Sequence, residues 1–170
     1  MRVAWLKDLR MADLEQVGGK NASLGEMMSA LAAAGIRVPG GFATTAQAFR
    51  EFLAANGLDK RIEECVNKVD TNDVKALEAC GAEVRSWILK ASFPSEFEQE
   101  IRSKFQELMK LTSSDTSFAI RSSATAEDLP EASFAGQQET FLNIRGIDNV
   151  LEAIRHVFAS LYNDRAISYR

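Results

Sequence analysis

Val17-Gly18-Gly19-Lys20-Asn21 sets two glycines and a lysine directly ahead of a stretch with helical apolar spacing. Backbone N–H groups at the start of a helix point outward and the helix dipole is positive there, so the position favours an anion. A lysine adds a mobile positive charge. The segment is not a Walker A loop, because position 14 is Leu rather than Gly and Lys20 is followed by Asn rather than Ser or Thr. The spacing fits phosphate binding, and it fits a plain turn with a surface lysine, since glycine before a helix is common punctuation.

A second constellation runs from Arg121-Ser122-Ser123-Ala124-Thr125-Ala126-Glu127-Asp128 to Ala135-Gly136-Gln137-Gln138-Glu139-Thr140. An arginine at the end of a buried strand has a fixed base and a planar fork of donors suited to a polyphosphate. Gly136 lets the backbone approach a ligand, and Thr140 can donate a hydroxyl at the start of the next strand. The other reading is a solvated hairpin loop in which Arg121 pairs with Glu127 or Asp128.

Other reactive residue types organise less well. His156 is the only histidine and falls beside the apolar stripe of Ile154, Val157 and Phe158, as a boundary residue does, so no Ser-His-Asp set can be built. Glu127, Asp128 and Glu131 lack a regular metal-ligand spacing and read as a solvated acidic turn. Cys65 and Cys80 have no CxxC and no nearby histidine, so they read as free, partly buried thiols rather than a metal or redox pair.

These groups need elements to hold them. A short extended start precedes a helix over about 21–34, with Leu24, Met27, Met28 and Leu31 as its apolar stripe, Ser23 and Glu26 as a capping box and Gly35 as its stop. Ile36 to Phe42 alternates like a short strand running into a tight Pro-Gly-Gly loop. Thr44 and Gln47 open a helix that ends at Asn56-Gly57, and a shorter one follows to Lys68. Val74, Leu77, Val84, Trp87 and Ile88 form one long stripe ending near Ser92; Phe97, Ile101, Phe105 and Leu108 form another after Pro94. Residues 117–121 and 139–144 read as strands about 17 residues apart, far beyond the usual connection of about 2–6, which marks the intervening segment as a functional loop. Asp148 caps a last helix bearing Val150, Leu151, Ile154, Val157, Phe158 and Leu161.

The 170 residues fit one domain, with 46% apolar and 26% charged residues as in soluble globular proteins. No uncharged run of membrane-spanning length occurs, and charge interrupts the first eight residues, so the expectation is a cytoplasmic protein without a signal peptide or membrane partner. A net charge of −4 gives no diffuse attraction to nucleic acid, so phosphate chemistry must be local. The sequence up to Arg170 is ordered in character to its last residue, and truncation of a longer chain is the expectation.

Gly18-Gly19-Lys20-Asn21-Ala22-Ser23-Leu24-Gly25-Glu26-Met27, Val38-Pro39-Gly40-Gly41-Phe42-Ala43-Thr44-Thr45, Ile120 to Pro130 and Ala132 to Thr140 resemble, in order, the start of the ATP-dependent dikinases that make phosphoenolpyruvate. The resemblance covers the whole chain. It implies an α/β (α+β) fold, a mixed β-sheet with flanking helices that forms the first half of an ATP-grasp nucleotide domain spanning 1–170. Lys20 and Arg121 are then phosphate contacts, and Phe134 to Thr140 is the loop over ATP, with Gly136, Gln137, Gln138 and Thr140 at the nucleotide. Family enzymes pass a phosphoryl group from ATP to a histidine on a mobile domain and then to pyruvate. The Mg2+ ligands, the phosphohistidine and the pyruvate barrel would lie beyond Arg170, so no catalytic residue is assigned here and the 170 residues alone are expected to be inactive. The parent is expected to be a homo-oligomer. A rifamycin-phosphorylating branch shares very similar motifs, and a non-catalytic nucleotide-binding or interaction module is the alternative from another class.

Overall fold

A computed structural model describes residues 1–38, 40–70, 72–123 and 140–162. The class is α+β, and among the described residues the strands form two antiparallel pairs. The chain groups into two compact units, one built from 1–49, 95–116 and 123–133, the other from 50–94, 117–122 and 134–170.

In the first unit β1 (Val3–Trp5) pairs with β2 (Phe42–Thr44), Ala4 opposite Ala43. Two 3-10 turns, Leu6–Asp8 and Met11–Asp13, lead into the one-turn helix α1 (Leu14–Val17) and then α2 (Gly19–Ala33). One buried cluster joins Ala4, Leu9, Val17, Ala22 and Ala43, with Leu6 and Leu14 packed against it. Of the stripe expected for α2 only Met28 is buried. The other buried residues are Gly19, Ala22 and Gly25, while Met27 is about half exposed. Small residues face inward because α2 lies directly on the main chain of the first 3-10 turn; a Cβ at Gly25 would overlap the Leu6 and Leu9 carbonyls.

Its ends differ in legibility. The stop at Gly35 is a Schellman motif: Gly35, at φ +79°, donates to the Ala32 carbonyl and Ile36 to the Leu31 carbonyl. The start lies several residues before Ser23, so the Ser23/Glu26 capping box does not exist. Glu26 instead accepts the Met11 N–H at 3.1 Å. The short strand expected from Ile36 up to the Pro-Gly-Gly loop is likewise not found among the described residues. Ile36 is half exposed, and pairing with β1 begins at Phe42.

α3 (Ala46–Ala55) is capped by Thr45 rather than Thr44: the Thr45 hydroxyl accepts the Ala48 N–H at 3.2 Å and donates to the Met1 carbonyl. α6 (Ser95–Lys110) buries Phe97, Ile101, Phe105 and Leu108, the i, i+4, i+8, i+11 face its sequence predicts. It is tied to β1 by Arg2, which bridges Glu96 at 2.9 Å and Glu100 at 3.1 Å.

The second unit holds α4 (Leu58–Asn67), α5 (Val74–Lys90), β3 (Phe118–Arg121), β4 (Thr140–Ile144) and α7 (Ile147–Ser160). Its core centres on Phe52, fully buried against Phe93 and Phe158 at ring separations of 5.4 Å each. α5 starts from an Asp73 cap on the Ala76 N–H. Val74, at the first position past that cap, is exposed, so the stripe begins at Leu77. Trp87 is half buried with the Arg61 guanidinium 4.0 Å above its ring, not a core residue. α7 is preceded by Gly146, so Asp148 falls inside its first turn instead of capping it. The stripe from Val150 to Phe158 is buried as expected.

Cys65 on α4 and Cys80 on α5 are free thiols, as read, but they lie side by side with sulfurs 2.7 Å apart. Burial first, then the hydrogen bond Cys80 shares with Cys65 and the neighbouring charges of Cys65 and Glu83, push the Cys80 thiol from 9.0 up to about 12. At pH 8 its thiolate fraction should be about a thousandfold below that of an ordinary cysteine, so iodoacetamide should label Cys80 correspondingly slowly, as read by peptide mass spectrometry. Because the folded pKa is raised, the stabilisation is complete below about pH 9 and fades as pH climbs toward 12. Labelling at the rate of a small free thiol would contradict this environment.

Candidate functional site

The Gly-Gly-Lys segment sits at the junction of α1 and α2. Gly18 closes α1, its N–H donating to the Leu14 carbonyl at 2.8 Å, and at φ 80°, ψ 163° it is also the residue that caps α2. Only glycine holds that conformation without strain. Gly19 is the first residue of α2 and Lys20 the second, half buried in the first turn, where the N-terminal end of the helix dipole lies. The Asn21 side chain donates back to the Val17 carbonyl at 3.1 Å, fixing the angle between the two helices.

One contact to this turn comes from far along the chain. The Asn21 N–H donates to the Ser123 hydroxyl at 3.0 Å, across 102 residues. The main chain at Ser123 lies so close to Gly18 that a Cβ there would overlap the Ser123 carbonyl. Ser123 was quoted in the sequence only as part of a motif, with no role. The signal for it was an omission: Val17 and Gly18 carry no side chain able to cap α2, so an outside acceptor was needed.

In the second unit Arg121 is the last residue of β3 and pairs directly with Thr140, the first of β4. Both are exposed, and β3 alternates between half-buried and exposed residues rather than being the buried strand expected. An extra residue in β4 between the Phe118–Ile144 and Ile120–Phe141 pairs makes a bulge, with Asn143 at φ +59°. The hairpin therefore carries a guanidinium and a hydroxyl on the paired residues Arg121 and Thr140. Gly136, Gln137 and Gln138, like Glu127, Asp128 and Glu131, lie outside the described residues. Lys20 belongs to the first unit, Arg121 and Thr140 to the second.

His156 is a boundary residue as expected, half exposed, 3.7 Å from Glu152 and against the Phe141 ring. A recess of about 240 Å³ lined by Trp5, Met28, Gly41 and Leu108 in the first unit contains none of the candidate residues. Among the described residues no group of three His, Cys, Asp or Glu side chains is placed to hold a metal, and no helix is long and apolar enough to cross a membrane. Lys20 in the first unit and Arg121 and Thr140 in the second each offer a cationic or hydroxylic donor, a kind of group that suits phosphate oxygens.

Comparison with known proteins defines the class. The family model of the pyruvate phosphate dikinase AMP/ATP-binding domain matches residues 14–170, and the chain belongs to that family. Among its relatives, the phosphoenolpyruvate synthase of Neisseria meningitidis is 61% identical over 169 residues, 99% of this chain and 21% of that protein. The phosphoenolpyruvate synthases of Pseudomonas aeruginosa and Escherichia coli are 58% and 55% identical, each over 99% of this chain and 21% of the relative. The chain thus spans about a fifth of the length of the curated relatives it matches.

Proposed function

We propose that these residues form part of the ATP-binding region of a phosphoenolpyruvate synthase, the first half of an ATP-grasp domain over 1–170. The observation that carries this reading is identity of 55–61% with three such synthases across 99% of the chain, on top of the family match. The whole enzyme would convert ATP, pyruvate and water into phosphoenolpyruvate, AMP and phosphate through a phosphohistidine, a gluconeogenic step in the cytoplasm, as a homo-oligomer.

In this reading Lys20 and Arg121 contact the triphosphate. The first turn of α2 adds its dipole to the Lys20 ammonium. Arg121 offers a bidentate fork, and Thr140, its cross-strand neighbour, a hydroxyl. Gly136, Gln137 and Gln138 belong to the loop that closes over the nucleotide. Phosphoryl transfer spreads charge over the equatorial oxygens, so fixed cations that need no reorganisation lower the barrier. Mg2+ would neutralise the same phosphates when bound, held by acidic residues that we place beyond Arg170. Lys20, Arg121 and the loop would bind and orient the nucleotide rather than break bonds.

The acceptor tests the reading. In a full-length protein carrying this sequence, AMP release from ATP should depend on pyruvate and be indifferent to rifamycin. AMP release driven by rifamycin and not by pyruvate would assign the chain to the antibiotic-phosphorylating branch.

A further inference from the structure

We propose that Ser123 is a positioning residue for the nucleotide phosphates: its hydroxyl is the N-cap that α2 lacks in its own sequence, and it fixes the turn that carries Lys20. The inference rests on the phosphate reading of Lys20. The third N–H of a helix is the group that a local serine, threonine or aspartate cap serves. Here the helix begins at Gly19, the third N–H is that of Asn21, and no side chain at Gly18 can reach it. Ser123 Oγ takes that place at 3.0 Å.

Glycine at 18 is what admits this partner. Without a Cβ, the main chain at 18 lets the Ser123 backbone lie against it, where any side chain would overlap the Ser123 carbonyl. Gly18 and Gly19 are both buried under this approach, and Lys20 follows immediately. The capping bond is therefore long-range, joining residues 102 apart in the sequence.

A cap that only holds up the fold would weaken stability and leave ligand affinity alone. A positioning residue changes affinity for the phosphates in particular. The test measures ATP and AMP affinity by calorimetry in the full-length protein, for Ser123→Ala, Ser123→Thr and Lys20→Ala, alongside hydrogen exchange at the Asn21 amide. Loss of a cap of this kind corresponds to about five- to tenfold in an equilibrium. Ser123→Ala should weaken ATP by about that factor, leave AMP unchanged and speed Asn21 exchange, and Ser123→Thr should restore both.

Faster exchange with unaltered ATP affinity would reduce Ser123 to a structural cap and overturn the proposal, even where Lys20→Ala weakens ATP. Unaltered ATP affinity in Lys20→Ala would instead sink the phosphate reading itself. If Ser123→Ala does not fold, Ser123→Thr against Ser123→Val, which differ in one hydroxyl, carries the same comparison, and equal ATP affinity in those two overturns the proposal.

Discussion

Gly18→Ala is expected to destabilise the protein by about 3 kcal/mol, lowering its thermal midpoint by roughly 10 °C. Two costs combine. The residue must hold φ 80°, ψ 163°, a region essentially closed to side chains, and its Cβ would overlap the Ser123 carbonyl. Relief requires either unwinding the start of α2 or pushing the 123 segment away, and both undo the Asn21–Ser123 bond. ATP affinity should fall with stability. Gly35→Ala is the control: φ there is +79°, but no atom lies within 4 Å of the added carbon. It should cost only the backbone strain, about 1 kcal/mol. Equal losses at 18 and 35 in thermal denaturation would show that the close approach of Ser123 to Gly18 contributes nothing.

Arg121→Ala should lower pyruvate-dependent AMP formation by about a hundred- to a thousandfold in the full-length protein, the usual effect of removing one fixed donor from a developing anion. Because Arg121 is exposed at the end of β3, its loss should leave stability within about 0.5 kcal/mol of the unaltered protein. Arg121→Lys keeps the charge and loses the planar fork, so it should recover part of the activity. Near-normal turnover in Arg121→Ala would remove the residue from the phosphate site.

Long helices were readable because their apolar spacing and their burial coincide. In α6 the four predicted residues are the four that the core covers. α2 shows the same periodicity, but of Leu24, Met27, Met28 and Leu31 only Met28 is buried, because large side chains dominate such a pattern while the helix also packs through small residues, Gly25 lying on the Leu6 and Leu9 carbonyls. The short strand expected ahead of the Pro-Gly-Gly loop has no partner among the described residues: alternation marks a half-buried surface, and β1 pairs only from Phe42 onward. Ser23, Thr44 and Asp148 each lie one to a few residues from the actual helix start, since α2 begins at Gly19, α3 is capped by Thr45 and α7 follows Gly146.

The Gly-Gly-Lys spacing fits both phosphate binding and a plain turn, whereas the hydroxyl that caps that turn is 102 residues away and carries no local signature. The cysteines show the same limit. Fifteen residues separate Cys65 from Cys80, and their contact arises from the packing of α4 on α5, which no spacing rule contains.

If Lys20 and Arg121 contact the triphosphate as proposed, their loss should weaken ATP, which carries three phosphates, and spare AMP, which carries one. The most direct measurement is therefore calorimetric affinity for ATP and for AMP, with Mg2+ present, in the full-length protein and its Lys20→Ala and Arg121→Ala variants. Each variant should bind ATP at least tenfold more weakly and AMP with unaltered affinity. Unaltered ATP affinity in both variants, or equal losses for ATP and AMP, would contradict the claim.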